Sequence, residues 1–527
     1  MRLPSSRPDV ERLFTAALIV AIVAYVAVYL NAIGPYWNIS PDSAAYVTRA
    51  RLLAQGGGLG EPSVHPPVTS IVFALVFRFA PAGYTALNAA TTLLFLVGLA
   101  LAFRLLSPKA GRNRALAAVL ASLAFNRFFI ESTNLLSEPV YMAVSVFALL
   151  MMDAPRRPDP ADRLSFRHGV AAAAMVTAVL TRTIGIALGA AAVLVELRAR
   201  LGRQRPVRPV RPLLLAGGIL SIGVFVAREV KLVTGGWTGA IPHWITARAI
   251  GPDAPSGTVA SLPEAAGRLA AEIGSATATG GVLMGAASTG SPTVDAILMA
   301  GGTALVIAGL VAALRQGVRV LPLYMLLYLL IVVVHVVKGG FGPGYRHLVP
   351  VAPFLFHYAA EGVLACAVPV AARVPRLRLR RILSVAGVVY IAALAHTGWD
   401  DARWLARDQH RSPFGAYPIR RYQNYDVQRL AMRLGSLSRP EDAYAGVQIE
   451  MHDVLTGRTG HDLLDVPADS PDALAEWLRQ LRVRWVLLDR TIPGAVDRVR
   501  VYAERYPSSL RLVEQLKGAA LYERLPP

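Results

Sequence analysis

Apolar residues run through the first 400 positions in long blocks separated by short basic or Gly- and Pro-rich breaks. A helix needs about 20 apolar residues to cross the hydrocarbon core of a bilayer, and about 17 suffice. That length predicts spans near 13–33, 84–106, 114–130, 135–152, 212–228, 293–314, 319–337, 346–368 and 382–397. The block at 168–198 is too long for one crossing and is interrupted by Thr181, Arg182 and Thr183, so it reads as a hairpin of two short helices. Eleven spans result, the first of them a retained helix, since no small-residue cleavage site follows it.

Basic clusters set the sidedness of these spans. Arg2, Arg7 and Arg12; Arg104, Lys109, Arg112 and Arg114; Arg156, Arg157, Arg163 and Arg167; the run 198–211; Arg315 and Arg319; and the run 373–381 all belong inside. Counting the short apolar stretch 68–80 as a crossing would put the second cluster outside, so this stretch is assigned to a re-entrant or interfacial helix. The N-terminus is then cytoplasmic, and residues 34–83, residues 229–292 and everything beyond 397 face outward.

Beyond residue 397 the pattern changes from apolar blocks to alternation. Residues 443–449 and 483–489 read as strands, with a helix between them capped by Ser470 and opened by Pro471. Residues 495–506 read as a second helix, and the end of the chain as a hairpin turned at Lys517 and Gly518. The predicted architecture is a polytopic α-helical membrane domain, 1–397, followed by a small extracytoplasmic α/β domain, 398–527. No phosphate loop, zinc spacing or nucleophile elbow marks the latter, which reads as a packing or acceptor-recognition domain.

Composition agrees with this picture. Hydrophobic residues make up 54% of the 527 positions, outside the range of a soluble protein of this length. The formal charge of +20 comes from arginines clustered between apolar blocks, where orientation and anionic headgroups account for them, so a nucleic-acid partner is excluded. Cys366 is the single cysteine, which rules out a disulfide within the chain.

Candidate chemistry collects on the outer side. Ser40 and Pro41 open a helix that carries Asp42 in its first turn and ends at Gly56, Gly57 and Gly58. Asp42, Tyr46 and Arg49 share one face of it, and Val47, Ala50, Leu53 and Ala54 another, so it is expected to lie along the membrane surface. The turn 64–67, VHPP, follows with His65. Glu138 opens a later span, Arg182 sits in the turn of the helical hairpin, and Lys338, Tyr345, Arg346 and His347 close another span. Two carboxylates and several cations around one outer cavity suit transfer of a group from a membrane-anchored phosphate: a carboxylate takes the proton of an acceptor hydroxyl, and cations hold the departing phosphate. Trp237, His243, Trp244 and Arg248 in the loop 229–292 read as interfacial anchors.

The order and sidedness of the Asp-containing first loop, the HPP turn, the acid opening a span and the segment YRHLVPVAP (345–353) resemble the integral-membrane C-type (GT-C) glycosyltransferases. Among these the chain is similar to the protein O-mannosyltransferases and the bacterial aminoarabinose transferases, which use polyprenyl-phosphate-linked sugars. The resemblance implies a polyprenyl-phosphate-linked sugar donor and a glycan, lipid or protein acceptor at the cell membrane, with displacement at the anomeric carbon and inversion. It assigns Asp42 as catalytic base or acceptor-orienting residue, matches HPP at His65, Pro66 and Pro67, and places the second acid at Glu138, where many relatives carry Asp and lack Pro139. Arg346, with Lys338 or His347, is expected on the donor phosphate, and Arg182 is a second candidate. Tyr46, Arg49 and Tyr345 complete the expected substrate contacts. Relatives differ over a divalent metal, and no ligand cluster in this sequence indicates one. Two other classes also produce many spans: a lipid-linked sugar flippase, which should show internal repeats and midplane charges, and a non-catalytic envelope scaffold of the same fold.

Overall fold

The computed structural model describes residues 8–34, 41–58, 65–80, 84–153, 166–201, 211–233, 261–278, 292–339, 345–371, isolated positions between 389 and 403, and most of 425–525. Trp237, His243, Trp244 and Arg248 lie outside the described residues, as does most of the expected span 382–397. Two compact units result. One comprises Met1–Pro35, Glu61–Thr69 and Ala82–His410, and the other Tyr36–Gly60, Ser70–Pro81 and Arg411–Pro527.

In the first unit the helices are α1 (Pro8–Asn31), α4 (Tyr84–Ala110), α5 (Arg112–Ala124), α6 (Asn126–Thr133), α7 (Ser137–Asp153), α8 (Phe166–Thr181), α9 (Ile186–Leu201), α10 (Pro212–Val233), α11 (Leu262–Ala278), α12 (Pro292–Arg315), α13 (Val320–Gly339) and α14 (Ala352–Ala371). Helix α2 (Pro41–Ala54) and most of α3 (Val68–Phe79) belong to the second unit. Among the described residues, four helical segments are long and apolar enough to cross a membrane: Glu11–Asn31, Tyr84–Ala110, Thr293–Arg315 and Tyr345–Ala367. Shorter apolar helices occupy other expected spans, and their exposed Leu, Ile and Val side chains present the surface a lipid phase solvates.

Polar contacts show which helix ends share a side of this unit. Lys109 at the end of α4 pairs with Asp153 at the end of α7 at 2.6 Å, and Arg114 at the start of α5 pairs with Glu361 at 2.7 Å. Arg211, just before α10, donates from its backbone to Glu196 at 3.0 Å and from its guanidinium to the Met152 carbonyl at 2.8 Å. Thr15 of α1 donates to Asn113 at 2.6 Å. At the opposite end, Asn88 of α4 donates to the Gly34 carbonyl at 2.9 Å. These contacts place Lys109, Asp153, Met152, Glu196 and Arg211 together at one end of the unit.

Two expected spans are broken. The segment 114–130 divides at Phe125, whose extended backbone separates α5 from α6. The segment 346–368 begins with two 3-10 turns, Tyr345–His347 and Val349–Val351, and becomes α-helical only at Ala352, because Pro350 has no N–H for a helical ladder. The helix α11 within the loop 229–292 has no forecast in the apolar pattern. It packs through Ala265, Leu269, Ile273 and Ala276, and Thr303 of α12 donates to its Ala270 carbonyl. Close backbone approach holds α12 against α14. A Cβ at Gly309 would land on the Tyr358 carbonyl, and one at Gly362 on the Leu305 carbonyl.

In the second unit, α15 (Tyr425–Leu437), α16 (Pro471–Gln480) and α17 (Pro493–Arg505) surround a five-stranded sheet, β1 (Ala443–Gly446), β2 (Thr459–Asp462), β3 (Val483–Asp489), β4 (Leu510–Gln515) and β5 (Ala519–Arg524). The spatial order is β2-β1-β3-β5-β4; β2, β1 and β3 are parallel, and β5 is antiparallel to both neighbours. Alternation along β3 explains the layers. Trp485 and Leu487 pack with Leu430, Ala431 and Leu434 of α15, while Val486 and Leu488 pack with Leu474, Leu478 and Val499 on the other face. The forecast strand 483–489, the helix capped by Ser470 and the hairpin at Lys517 and Gly518 appear as expected. Helix α15 and β2 are additions. The Ser470 hydroxyl accepts from the Ala473 amide at 3.1 Å, closing the N-terminus of α16.

Candidate functional site

Three interruptions of helical backbone create the site. Between α6 and α7 the backbone is extended at Asn134 and bends through Leu136, closed by Leu136 N–H donating to the Asn134 carbonyl at 2.8 Å. Helix α7 then starts at Ser137, with Glu138 and Pro139 in a first turn that has no use for a proline N–H. Between α8 and α9, Arg182 is extended and is followed by a single 3-10 turn, Thr183–Gly185. Glycine is required at 185, because a Cβ there would lie 2.6 Å from the Ala178 carbonyl group. The third interruption is the turn Tyr345–His347, closed by Leu348 N–H donating to the Tyr345 carbonyl at 2.9 Å.

These three breaks meet at Glu138. Its side chain is 1% exposed, and one carboxylate oxygen pairs with the Arg182 guanidinium and lies 3.4 Å from Nε of Arg346. Arg182 also donates through Nη1 to the Ser137 hydroxyl at 3.1 Å, and its Nη2 lies 3.1 Å from Nδ1 of His347. Two guanidiniums on one carboxylate leave an excess positive charge. An excess of this kind, with Arg346 about one-third exposed, favours an incoming anion.

Aromatic residues hold the third break in place. Tyr345 packs its ring edge-on against Phe125 at 5.4 Å between centroids, and its hydroxyl donates to Ser275 of α11 at 3.2 Å. Tyr328 of α13 donates to the His347 carbonyl at 2.6 Å. Tyr141, one turn into α7, shares a hydrogen bond of 3.2 Å with Tyr324 and stacks on Tyr328. All three of these tyrosines are buried.

The structure thus brings Glu138, Arg182, Tyr345, Arg346 and His347 together. Asp42 occupies the first turn of α2 as expected, in the second unit. Arg49 is half-buried there. Tyr46 does not share an open polar face with Asp42. It is buried on a stripe with Ser43, Ala44, Val47 and Ala50, which follow one another at helical spacing and pack as the inner face of α2. Gly56, at φ +86°, ends the helix with the left-handed residue that glycine favours. His65 stands partly exposed before α3, and the Lys338 side chain lies outside the described residues. Ser137, Phe125, Ser275, Tyr141, Tyr324 and Tyr328 were not legible as site residues. Tyr324 and Tyr328 recur four apart on an apolar helix, a signal that has meaning only once their partners are known. Among the described residues, no three His, Cys, Asp or Glu side chains group as a metal site.

No protein-family model matches the chain, and neither does any curated protein. Solved structures do. The crystal structure of ArnT from Cupriavidus metallidurans bound to undecaprenyl phosphate matches with a TM-score of 0.59 at 16% identity, over 97% of this chain and 98% of that one. The apo state of the same protein matches at 0.60. The archaeal oligosaccharyltransferase AglB from Archaeoglobus fulgidus, in complex with an inhibitory peptide and a dolichol-phosphate, matches at 0.53 with 11% identity, over 98% of this chain and 75% of that one. The chain has the membrane-embedded GT-C fold.

Proposed function

We propose that the protein is a glycosyltransferase that moves a sugar from a polyprenyl-phosphate carrier to an acceptor outside the cytoplasm, with inversion at the anomeric carbon. The observation that carries this reading is the buried Glu138 bracketed by Arg182 and Arg346, a cationic excess placed where the helices stop. A guanidinium offers a planar fork to phosphate oxygens and stays charged when partly desolvated. The carriers bound to two proteins of the same fold, undecaprenyl phosphate in ArnT and dolichol-phosphate in AglB, are ligands of this chemical type.

In the reaction, the acceptor hydroxyl oxygen forms a bond to the anomeric carbon as the bond from that carbon to the phosphate oxygen breaks. The carrier phosphate leaves with the bonding electron pair, its charge met by Arg182 and Arg346, and the hydroxyl proton passes to a carboxylate base, the role that the resemblance assigns to Asp42. The basic clusters put the N-terminus in the cytoplasm of a cell-membrane protein and the site outside. That reading is supported by the grouping of Lys109, Arg114 and Arg211 at one end of the first unit and of Glu138, Arg182 and Arg346 at the other.

The test is mass spectrometry on purified protein in nanodiscs supplied with polyprenyl-phosphate sugars and an envelope extract, with Asp42→Asn beside wild type. Wild type should consume donor, release polyprenyl phosphate and add the mass of one sugar to the acceptor, while Asp42→Asn should not. Equal inactivity of the two folded proteins across several donors defeats the proposal. Lipid movement that survives Asp42→Asn would instead identify a flippase.

A further inference from the structure

His347 is held at two points. Its backbone carbonyl accepts from Tyr328 at 2.6 Å, and its ring Nδ1 lies 3.1 Å from Nη2 of Arg182. A guanidinium has donors only and does not deprotonate in proteins. The ring nitrogen facing it must therefore offer a lone pair, which makes the imidazole neutral with its proton on Nε2. A protonated ring would turn an N–H toward the guanidinium and set two cations side by side. In this arrangement His347 faces Arg182 as a neutral acceptor rather than as a further cation.

The other half of the Arg182 guanidinium is fixed from α7, where Nη1 meets Glu138 and Ser137. Acceptors at Nη1 and Nη2 together set the plane of the group. An extended residue between two helices has no regular backbone to direct its side chain, so these acceptors define where the fork points. We propose that His347 is a positioning residue, a neutral acceptor that orients Arg182 toward the carrier phosphate and is itself held in place by Tyr328. The proposal rests on the reading that Arg182 binds that phosphate. It makes the buried tyrosine stack part of the binding apparatus, through a chain that runs from Tyr328 to His347 to Arg182.

Two opposite substitutions separate the roles. In His347→Asn the amide oxygen can take the place of Nδ1 as an acceptor, without charge. His347→Lys supplies a cation and no acceptor. Full-length protein in nanodiscs is titrated with undecaprenyl phosphate, and KM and kcat are measured with a polyprenyl-phosphate sugar. His347→Asn should stay within about threefold of wild type, and His347→Lys should lose about tenfold in affinity, the worth of roughly one hydrogen bond to a charged group, read in KM rather than kcat. Tyr328→Phe should weaken binding in the same direction. Nitrogen-15 spectra of histidine-labelled protein, with the resonance assigned by its loss in His347→Asn, should show Nδ1 unprotonated and Nε2 protonated at neutral pH. A protonated Nδ1, or His347→Lys binding as wild type while His347→Asn fails, overturns the proposal. Wild type that binds no carrier overturns the reading of Arg182 and this one with it, whereas wild type, Asn and Lys forms that bind alike overturn this one alone.

Discussion

Neutralising Glu138 should weaken the fold and yet leave carrier binding intact, whereas neutralising Arg182 should weaken both. Arg346 Nε lies 3.4 Å from the Glu138 carboxylate, and the Arg182 contact is closer. At an effective dielectric of about 20, a unit pair at that distance attracts by about 5 kcal/mol, much of it offset by the desolvation of both groups. Removing one member forfeits the attraction while the other stays desolvated, so the cost exceeds the net worth of the pair. For Glu138→Gln, which preserves shape and leaves two guanidiniums facing each other, the expected loss is about 3–5 kcal/mol. Arg182→Gln should cost less, since Glu138 keeps Arg346. The double variant should fall short of the summed single losses by about 1–3 kcal/mol, the coupling expected of residues in one network.

The assay is unfolding of the four proteins in mixed micelles, followed in parallel with titration by polyprenyl phosphate. The local formal charge of Glu138, Arg182 and Arg346 rises from +1 to +2 in Glu138→Gln and falls to zero in Arg182→Gln. Carrier affinity should therefore be unchanged or higher in the first and lower by about 10- to 100-fold in the second, the range for losing a charge-assisted hydrogen bond. Additive stability losses within about 0.5 kcal/mol, or equal loss of carrier affinity in the two single variants, would refute the triad as the electrostatic centre.

Three further outcomes follow from other parts of the chain. Burial lowers the His452 pKa to about 4 from an ordinary 6.5, so between those values the unfolded state binds a proton that the folded state refuses. Stability of the C-terminal sheet should fall by about 3 kcal/mol as pH drops through that window, seen as faster hydrogen exchange in 443–447 and 483–489 after correction for intrinsic rates. Glu523, held below the usual carboxylate range by its hydrogen bond from Arg484, contributes stability that is present above its unfolded value of 4.5 and is lost only as pH falls further, so an exchange profile flat down to pH 4.5 would contradict the His452 assignment. Gly362→Ala should destabilise the helical unit by at least about 1–3 kcal/mol, because its methyl group meets the Leu305 backbone rather than a movable side chain; a thermal unfolding midpoint equal to wild type would contradict the close crossing. Ser470→Ala should cost about 1 kcal/mol and speed exchange at the Ala473 amide, with unchanged protection there speaking against the cap.

What the sequence made legible was set by the range of the interactions involved. Apolar length found α1, α4 and α12, because it is a property of a segment and its solvent. Turn chemistry found the helical hairpin at Arg182 and the β-hairpin at Gly518, because each is closed by its own residues. Charge and order singled out Glu138, Arg182 and Arg346, but not that they touch. The pairing of residues 138, 182 and 346 is long-range, and nothing in one segment records its partners in another. The break at Phe125 escaped for the same reason: an extended residue within an apolar block is paired with a Tyr345 ring two hundred positions away. Helix α11 escaped because its apolar face is one narrow stripe, Ala265, Leu269, Ile273 and Ala276, within a loop of mixed composition.

The breaks themselves explain why polar side chains gather where they do. Lipid supplies no hydrogen-bond partner, so a backbone that leaves helical geometry inside a membrane protein must be satisfied by neighbouring protein groups. In the first unit, the His347 carbonyl is met by Tyr328 and the Tyr345 carbonyl by the Leu348 amide, and Ser275 fixes the Tyr345 ring between them. The same interruptions release Arg182 and Arg346 from helical faces, where their side chains would be directed into lipid or a neighbouring helix, and allow both to converge on one carboxylate. Stability and proposed chemistry therefore have a common origin here. A substitution that restored continuous helix through 345–351 would add backbone hydrogen bonds and lose the site, which is why Pro350 is as much a part of its construction as the charged residues it follows.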